Sequence, residues 1–185
     1  MVGMRRIVMA VALALTSLGS IAAVSLAAAT PSAASTCTIS WATGTSGSWS
    51  TPGNWSPARV PTSSDVVCIY ASGTYTVDMT GSDTVSAVQV GDGASGTQTL
   101  KVDGSSTNVD LSLGAASTVG STGVLALSSN SAGGYADISG AGGVTVNSGG
   151  VLSTSFTGTG DVPAYLETPV TNQAGGTVTL SLIHI

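Results

Sequence analysis

Alternating apolar and polar residues recur along the chain in short stretches, and five of these stretches follow a glycine. The glycines are Gly73, Gly96, Gly123, Gly150 and Gly176, and the stretches read GTYTVD, GTQTLKVD, GVLALS, GVLSTS and GTVTLS. Successive glycines lie 23, 27, 27 and 26 residues apart, and no helical period competes with the alternation. Alternation with a period of two predicts strands. A repeat of this length around one short strand predicts the stacked turns of a solenoid.

From Thr74 onward the pattern predicts only strands and turns. The predicted strands cover residues 74–78, 85–90, 97–102, 108–113, 117–119, 124–128, 135–138, 144–146, 151–155, 164–167 and 176–181. Val119 and Val146 are 27 residues apart, and so are Asp110 and Asp137, which matches the glycine period. We therefore expect an all-β fold, a right-handed parallel β-helix whose turns stack about 4.8 Å apart. An antiparallel β-sandwich also suits short strands separated by turns, but it has no reason to keep this period.

The first 34 residues differ from the repeats. Two arginines precede an apolar run from Ile7 to about Ala29, and small residues that suit cleavage follow. This order is typical of a secretory signal peptide, with an uncleaved transmembrane anchor as the alternative. We expect cleavage, because small polar residues weaken the end of the run. The predicted organisation is a signal peptide over residues 1–34, a linker and cap over 35–72, and solenoid turns over 73–185.

All three tryptophans, Trp41, Trp49 and Trp55, precede the first repeat. We expect them to form a Trp-rich N-terminal cap, a hydrophobic plug that covers the open sheet edge of the first turn. With Tyr70 they are also candidates for an aromatic sugar-binding platform. Asp65 precedes a short apolar strand, where its carboxylate can accept hydrogen bonds from backbone amides.

The N-terminal segment resembles that of many bacterial secreted and surface β-solenoid proteins, including autotransporter-like proteins with a parallel β-helix. The residues that carry the resemblance are Trp49, Asn54, Trp55, Val60, Pro61, Asp65 and Val67, and it covers residues 41–102. Beyond this range only the general repeat pattern continues. The resemblance implies a solenoid fold and a surface setting, and it implies no reaction.

The chain has two cysteines, Cys37 and Cys68, which export would expose to an oxidising compartment. We expect one disulfide between them, with two free buried thiols as the alternative. The bond would close a loop of about thirty residues and stabilise the fold by roughly 3–4 kcal/mol. A metal site built on the two cysteines is disfavoured, because the only histidine is His184, at the far end of the chain.

Charge narrows the choice of partners. After residues 1–34 are removed, only Arg59 and Lys101 remain to balance nine acidic residues. Binding of nucleic acid is disfavoured, because neutralising phosphates requires many lysines and arginines. Contact with an anionic membrane surface after signal cleavage is disfavoured for the same reason.

Asp110 and Asp137 are expected to project from adjacent turns in one column. Stacked carboxylates of this kind hold calcium in polysaccharide lyases with parallel β-helices, but such a lyase also needs a strong base, and no Lys or Arg follows Lys101. A glycoside hydrolase needs a defined carboxylate pair, and no motif selects one. We therefore expect no catalytic residues and no cofactor, with calcium at Asp-rich turns as the alternative.

The predicted function is a secreted or cell-surface structural and adhesive module of a bacterium, non-catalytic, that presents an acidic, Ser/Thr-rich face to an extracellular glycan or a surface protein. The alternative is the N-terminal part of a polysaccharide-acting enzyme, a lyase or a glycoside hydrolase. We also expect the chain to be a fragment. Only three residues follow Leu182, and they are too few to cover the edge of the last turn.

Overall fold

The structure is a computed structural model of the 185-residue chain, and it describes residues 36–92, 95–130, 133–157 and 164–181. The predicted signal peptide, Asp161 and His184 lie outside the described residues. Within the described ranges, no helix has the length and apolar character that crossing a membrane requires.

The described chain is almost entirely β-structure, interrupted by one short 3₁₀ turn at Pro52–Asn54. The strands are β1 (Ile39–Trp41), β2 (Gly47–Ser48), β3 (Trp55–Ser56), β4 (Val66–Ile69), β5 (Tyr75–Met79), β6 (Asp83–Val85), β7 (Ala87–Val90), β8 (Gln98–Gly104), β9 (Val109–Leu113), β10 (Ser117–Val119), β11 (Gly123–Asn130), β12 (Ala136–Ser139), β13 (Val144–Val146), β14 (Val151–Thr157), β15 (Tyr165–Leu166), β16 (Val170–Asn172) and β17 (Thr177–Thr179).

The strands form three parallel sheets that share a narrow core. Sheet A has the order β16-β13-β10-β7-β4-β1-β3, sheet B has β17-β14-β11-β8-β5-β2, and sheet C has β15-β12-β9-β6. The chain visits the sheets in the order A, B, C and then moves to the next turn, which makes a β-solenoid of about five turns. Of the described strands, only β3 runs antiparallel, against β1. The predicted parallel β-helix is confirmed, and its right-handed sense stays a prediction.

All five glycine-led strands, β5, β8, β11, β14 and β17, lie side by side in sheet B, as the repeat predicts. Their glycines nevertheless occupy two columns. Tyr75 pairs with Gln98, which aligns Gly73 with Gly96, whereas Gly123 itself pairs with Gln98. The first two glycines have φ of 134° and 87°, so they turn the chain at a corner in the left-handed region.

Gly123 and Gly150 serve a different purpose from the corner glycines. A Cβ at Gly123 would lie 2.1 Å from the carbonyl oxygen of Val90, and one at Gly150 would lie 2.5 Å from that of Val119. Here glycine is required because the backbone of the preceding turn approaches closely. The recurring glycine therefore marks two positions two residues apart: Gly73 and Gly96 take a left-handed φ, whereas Gly123 and Gly150 do not, and close backbone contact leaves no room for a side chain at either position.

The predicted strand over residues 85–90 proves to be two strands in different sheets, β6 in sheet C and β7 in sheet A. The chain turns at Ser86. The backbone amides of Ser86 and Ala87 both donate to the carbonyl oxygen of Asp65, at 2.9 Å and 3.2 Å. Apolar residues on both sides of this corner hide it from a pattern based on hydropathy alone.

Apolar columns fill the interior. In sheet B, one column consists of Val77, Leu100, Leu125 and Leu152, each aligned with the next and fully buried. Burying a side chain of this size contributes roughly 1.5–3 kcal/mol. Since a single turn cannot enclose its own apolar side chains, the core exists only because the turns stack. Polar residues alternate with the core positions and form matching columns outside.

Candidate functional site

The three tryptophans form the predicted plug at the start of the solenoid. Trp41, Trp49 and Trp55 are each 2–3% exposed and belong to the same apolar core as the solenoid turns. The Trp55 ring makes edge-to-face contacts with Trp41 and Trp49, each with a centroid distance of 4.9 Å. Trp41 also stacks on Tyr75 at 6.4 Å. The plug is thereby continuous with the first full turn.

Every indole N–H in the plug has an acceptor. Trp41 donates to the carbonyl oxygen of Thr45 at 3.1 Å, and Trp55 donates to that of Trp49 at 2.7 Å. Trp49 donates to Oδ2 of Asp83 at 2.8 Å. Burial and satisfied donors favour the plug over a sugar platform, because stacking a sugar requires an accessible ring face.

Tyr70 lies apart from the tryptophans, on the outer side of sheet A. It packs against Val66, Cys68 and Ala87, and its hydroxyl donates to the side-chain oxygen of Gln89. Burial raises the pKa of Tyr70 to about 12, with a smaller contribution from Asp92. The structure therefore does not bring Tyr70 together with the three tryptophans.

The predicted disulfide is present, between Cys37 and Cys68, with a Cα–Cα distance of 5.8 Å. It lies in the same outer cluster as Tyr70. It ties the residues before β1 to β4, the first long strand of sheet A.

Asp65 is the most extensively bonded carboxylate in the described part of the chain. Arg59 donates to it twice, at 2.5 Å and 2.7 Å, and the backbone amide of Thr62 donates at 2.7 Å. The hydroxyls of Thr38 and Thr62 also donate, each at 2.7 Å. These bonds, the Arg59 pair first, hold the pKa of Asp65 well below its usual range. The predicted backbone bond is confirmed, but the pairing with Arg59 was not foreseen.

Lys101 lies next to Asp78 on the outer side of sheet B, as the repeat predicts, with Nζ 3.8 Å from Oδ1. It lies closer to Asp103, at 2.5 Å. Asp103 is two residues further along β8 and faces the same way. Both basic residues of the described part are thus paired with carboxylates away from sheet C.

The candidate site is the outer side of sheet C, which we call the acidic face. It comprises Asp110, Ser112, Asp137, Ser139, Tyr165 and Glu167. Asp110, Asp137 and Tyr165 align in one column across three consecutive turns, and Ser112 aligns with Ser139 in the next column. The predicted alignment of Asp110 with Asp137 is confirmed.

The two aspartates differ in their hydrogen bonds. Oδ1 of Asp110 accepts a bond from the hydroxyl of Ser139 at 2.9 Å. Asp137 is only 9% exposed, and its Oδ1 is buried with no hydrogen-bond partner among the described residues. A buried acceptor without a donor costs roughly 1–3 kcal/mol, and more when it is charged.

The surroundings of Asp137 disfavour its charged form. Burial, then the charge of Asp110, then that of Glu167 raise the pKa of Asp137 to about 6, while a backbone bond from Ile138 opposes the shift. No basic side chain of the described residues faces this cluster. The cluster is therefore a concentrated, uncompensated negative charge.

An aromatic pair borders the acidic face. The rings of Tyr135 and Tyr165 meet edge to face with centroids 5.3 Å apart. The side chain of Tyr165 is 40% exposed, which makes it one of the exposed large side chains of the described surface. No sequence motif marks Tyr165 or Glu167, although both lie one turn after Asp137 and Ser139, where extending the repeat locates them.

Among the described residues, no three His, Cys, Asp or Glu side chains are placed to share a metal ion. Calcium at the aspartates therefore gains no support from their geometry.

Comparison with known proteins finds no match to the chain among protein families, curated proteins or solved structures. The resemblance to autotransporter-like proteins rests on the N-terminal residues alone, while the β-solenoid itself is seen directly in the strand pairing.

Proposed function

We propose that this chain is a secreted or cell-surface structural and adhesive module of a bacterium, non-catalytic, and that it binds an extracellular glycan through the acidic face. The observation that carries the proposal is the column Asp110, Asp137 and Tyr165 on three consecutive turns. Carboxylates and serine hydroxyls supply hydrogen bonds to sugar hydroxyls, and an exposed tyrosine ring supplies an apolar surface for a sugar ring.

Two further observations support an extracellular setting. The Cys37–Cys68 disulfide requires an oxidising environment to form and persist. The stacked turns offer a stiff ladder of backbone hydrogen bonds with little apolar surface outside, which suits a structural element exposed to solvent.

A panel of immobilised glycans tests the proposal. We expect the wild-type chain to bind at least one glycan and the Tyr165→Ala variant to lose most of that signal, because the ring is the exposed apolar contact. Leu180→Ala is the matched control, since Leu180 is also exposed but follows β17, a strand of sheet B rather than of sheet C. Absence of binding to the whole panel, or equal binding by the Tyr165→Ala variant, would contradict the proposal.

A polysaccharide-acting enzyme is the second candidate, and the raised pKa of Asp137 beside Asp110 favours it. A carboxyl group with a pKa of about 6 can serve as a general acid near neutral pH. We nevertheless expect no turnover on neutral or acidic polysaccharides. A lyase needs a strong base, and Arg59 and Lys101, the basic residues of the described part, are engaged elsewhere. A hydrolase needs two carboxyl groups that the substrate can reach, and Oδ1 of Asp137 is buried. Reducing-end and unsaturated-product assays test this, and turnover that Asp137→Asn abolishes would establish the enzyme.

A further inference from the structure

We infer that the ligand of the acidic face carries free ammonium groups, and that it is a polymer of amino sugars rather than a neutral or acidic glycan. The inference rests on the proposed function and names the class of glycan. The inference is based on the position of Asp110, Asp137 and Glu167 next to the exposed ring of Tyr165. No basic side chain of the described residues lies among them.

The first argument is charge. Three carboxylates lie within two adjacent columns on consecutive turns, and the described basic residues are committed to other partners: Arg59 to Asp65, and Lys101 to Asp103. An anionic glycan would be repelled by this surface, and a neutral one would leave its charge uncompensated. A cationic ligand would neutralise it.

The second argument is the unpaired oxygen of Asp137. Asp137 is only 9% exposed, and its Oδ1 has no donor among the described residues. Only a proton or a bound donor can satisfy such an atom. An ammonium group supplies both hydrogen-bond donors and positive charge, whereas a sugar hydroxyl supplies only a donor.

The third argument separates an organic cation from a metal ion. No three His, Cys, Asp or Glu side chains of the described residues are placed to share a metal ion, so the carboxylates present no ready calcium site. Tyr165 is 40% exposed, and ammonium groups make favourable cation–π contacts with exposed aromatic rings. Carboxylates next to an exposed aromatic ring suit an organic ammonium.

The fourth argument separates an amino glycan from a basic peptide. The turns repeat about every 4.8 Å, whereas side chains on one face of an extended peptide repeat about every 6.6–6.8 Å. One sugar ring along a linear chain is close in length to one turn, so successive sugars can meet successive turns. The serines beside the carboxylates, Ser112 and Ser139, also match the hydroxyls of a sugar.

Binding of this kind is coupled to protonation. An ammonium group favours the ionised form of Asp137, whose pKa in the free protein is raised to about 6. Below that pH the free protein holds a proton that binding must displace. Affinity for the cationic glycan therefore falls as the pH falls through the pKa of Asp137.

A matched pair of ligands tests the inference: oligomers of glucosamine and the same oligomers fully N-acetylated, measured by titration calorimetry. The two oligomers differ only at the amine of each sugar, which is a charged ammonium group in the first and a neutral acetamide in the second. At a pH just above the pKa of Asp137 and low salt, we expect the glucosamine oligomer to bind at least tenfold more tightly. We expect added salt to weaken its binding, because the site is at the surface.

Two variants test whether Asp137 causes the tight, pH-dependent binding of the glucosamine oligomer. Asp137→Asn should reduce affinity for the glucosamine oligomer several-fold and remove most of the pH dependence, since the titrating group is lost. Asp92→Asn is the control, because it removes the same charge from an exposed position outside sheet C. Circular dichroism of both variants checks that the fold is kept.

The outcomes distinguish the two proposals. Equal binding of both oligomers, or tighter binding of the acetylated one, would overturn the ammonium inference and leave glycan binding intact. Equal binding of an oligolysine of the same charge would overturn it as well, because the face would then recognise charge alone. If the chain bound none of these ligands and no glycan of the immobilised panel, both proposals would be overturned.

Discussion

At the residue scale, two aspartates of the described chain show how the surroundings of a carboxyl group set its protonation. Asp65 accepts five hydrogen bonds, two of them from Arg59, and its pKa is lowered. Asp137 has burial and two like charges around it, and its pKa is raised to about 6. Near neutral pH, the charge of Asp65 therefore stabilises the folded protein, and the charge of Asp137 destabilises it.

The Asp137→Asn substitution should stabilise the protein at neutral pH. Because the folded-state pKa is above the unfolded one, the native state binds more protons between about pH 4 and pH 6, and stability falls as pH rises through that window. Removing the charge should recover at most about 3 kcal/mol at pH 7, using 1.36 kcal/mol per pKa unit. Urea unfolding at pH 7 and at pH 4 measures the gain.

The gain should shrink at pH 4, where the wild-type side chain is already protonated. Asp92→Asn serves again as the control and should leave the free energy of unfolding nearly unchanged at both pH values. A wild-type protein that became steadily more stable from pH 4 to pH 7 would contradict a raised pKa at Asp137. Stability should fall below about pH 4 for a separate reason, because the unfolded chain then takes up a proton at Asp65 that the folded protein, with its lowered pKa, does not bind.

At the element scale, each strand depends on the turn before it. Gly150 opens the strand β14, and its backbone lies against the carbonyl oxygens of Val119 and Gly120. The strand could not keep its register if a side chain stood there, because backbone atoms of the neighbouring turn cannot move aside independently.

Gly150→Ala should therefore destabilise the fold by about 1–3 kcal/mol, the cost of forcing an added methyl group into a packed site. The added Cβ would lie 2.5 Å from the Val119 oxygen. Gly53→Ala is the matched control, since a Cβ at Gly53 meets no atom within 4 Å. Chemical denaturation of both variants measures the difference, and equal stability would show that the turns are more loosely stacked than the register implies.

At the scale of the whole molecule, the two ends of the described solenoid differ. The first turn is covered by the tryptophan plug and held by the disulfide. At the other end, the outer edges of β16 and β17 pair with no described strand, and Val170 and Leu180 are 37% and 52% exposed. Such an edge is a template for pairing with another chain.

The disulfide should make a large contribution to stability. Replacing Cys37 and Cys68 together by serine should lower the free energy of unfolding by roughly 3–4 kcal/mol, mainly because the unfolded chain gains freedom. Denaturation of the double variant, and of wild-type protein with and without reductant, measures this. If the oxidised and reduced proteins unfolded at the same denaturant concentration, the bond would have no stabilising role.

The edges of β16 and β17 that pair with no described strand should promote association between copies of the chain. We expect its apparent mass to rise with concentration in size-exclusion chromatography with light scattering. Val170→Lys should reduce the association, because a charge at an exposed sheet edge opposes pairing, and Thr118→Lys, on the outer side of β10 within the stack, is its control. A monomer over a wide concentration range would show that the edge is protected.

The spacing of the repeated residues predicts the stack and much of its register. Because equivalent residues of a solenoid recur once per turn, the spacing of 27 residues was enough to align Asp110 with Asp137 and Val119 with Val146. The same logic aligned Asp78 with Lys101, and the expectation of export to an oxidising compartment was enough to pair the two cysteines. Local periodicity contains this information because every turn repeats the same contacts.

The surroundings of each side chain depend on the tertiary structure. It separates Tyr70 from the three tryptophans and places Tyr165 and Glu167 beside Asp137. It also pairs Arg59 with Asp65 and leaves Oδ1 of Asp137 without a donor among the described residues. Burial and the sum of nearby charges depend on atoms from several turns at once, and no period in the sequence records how those atoms meet in space.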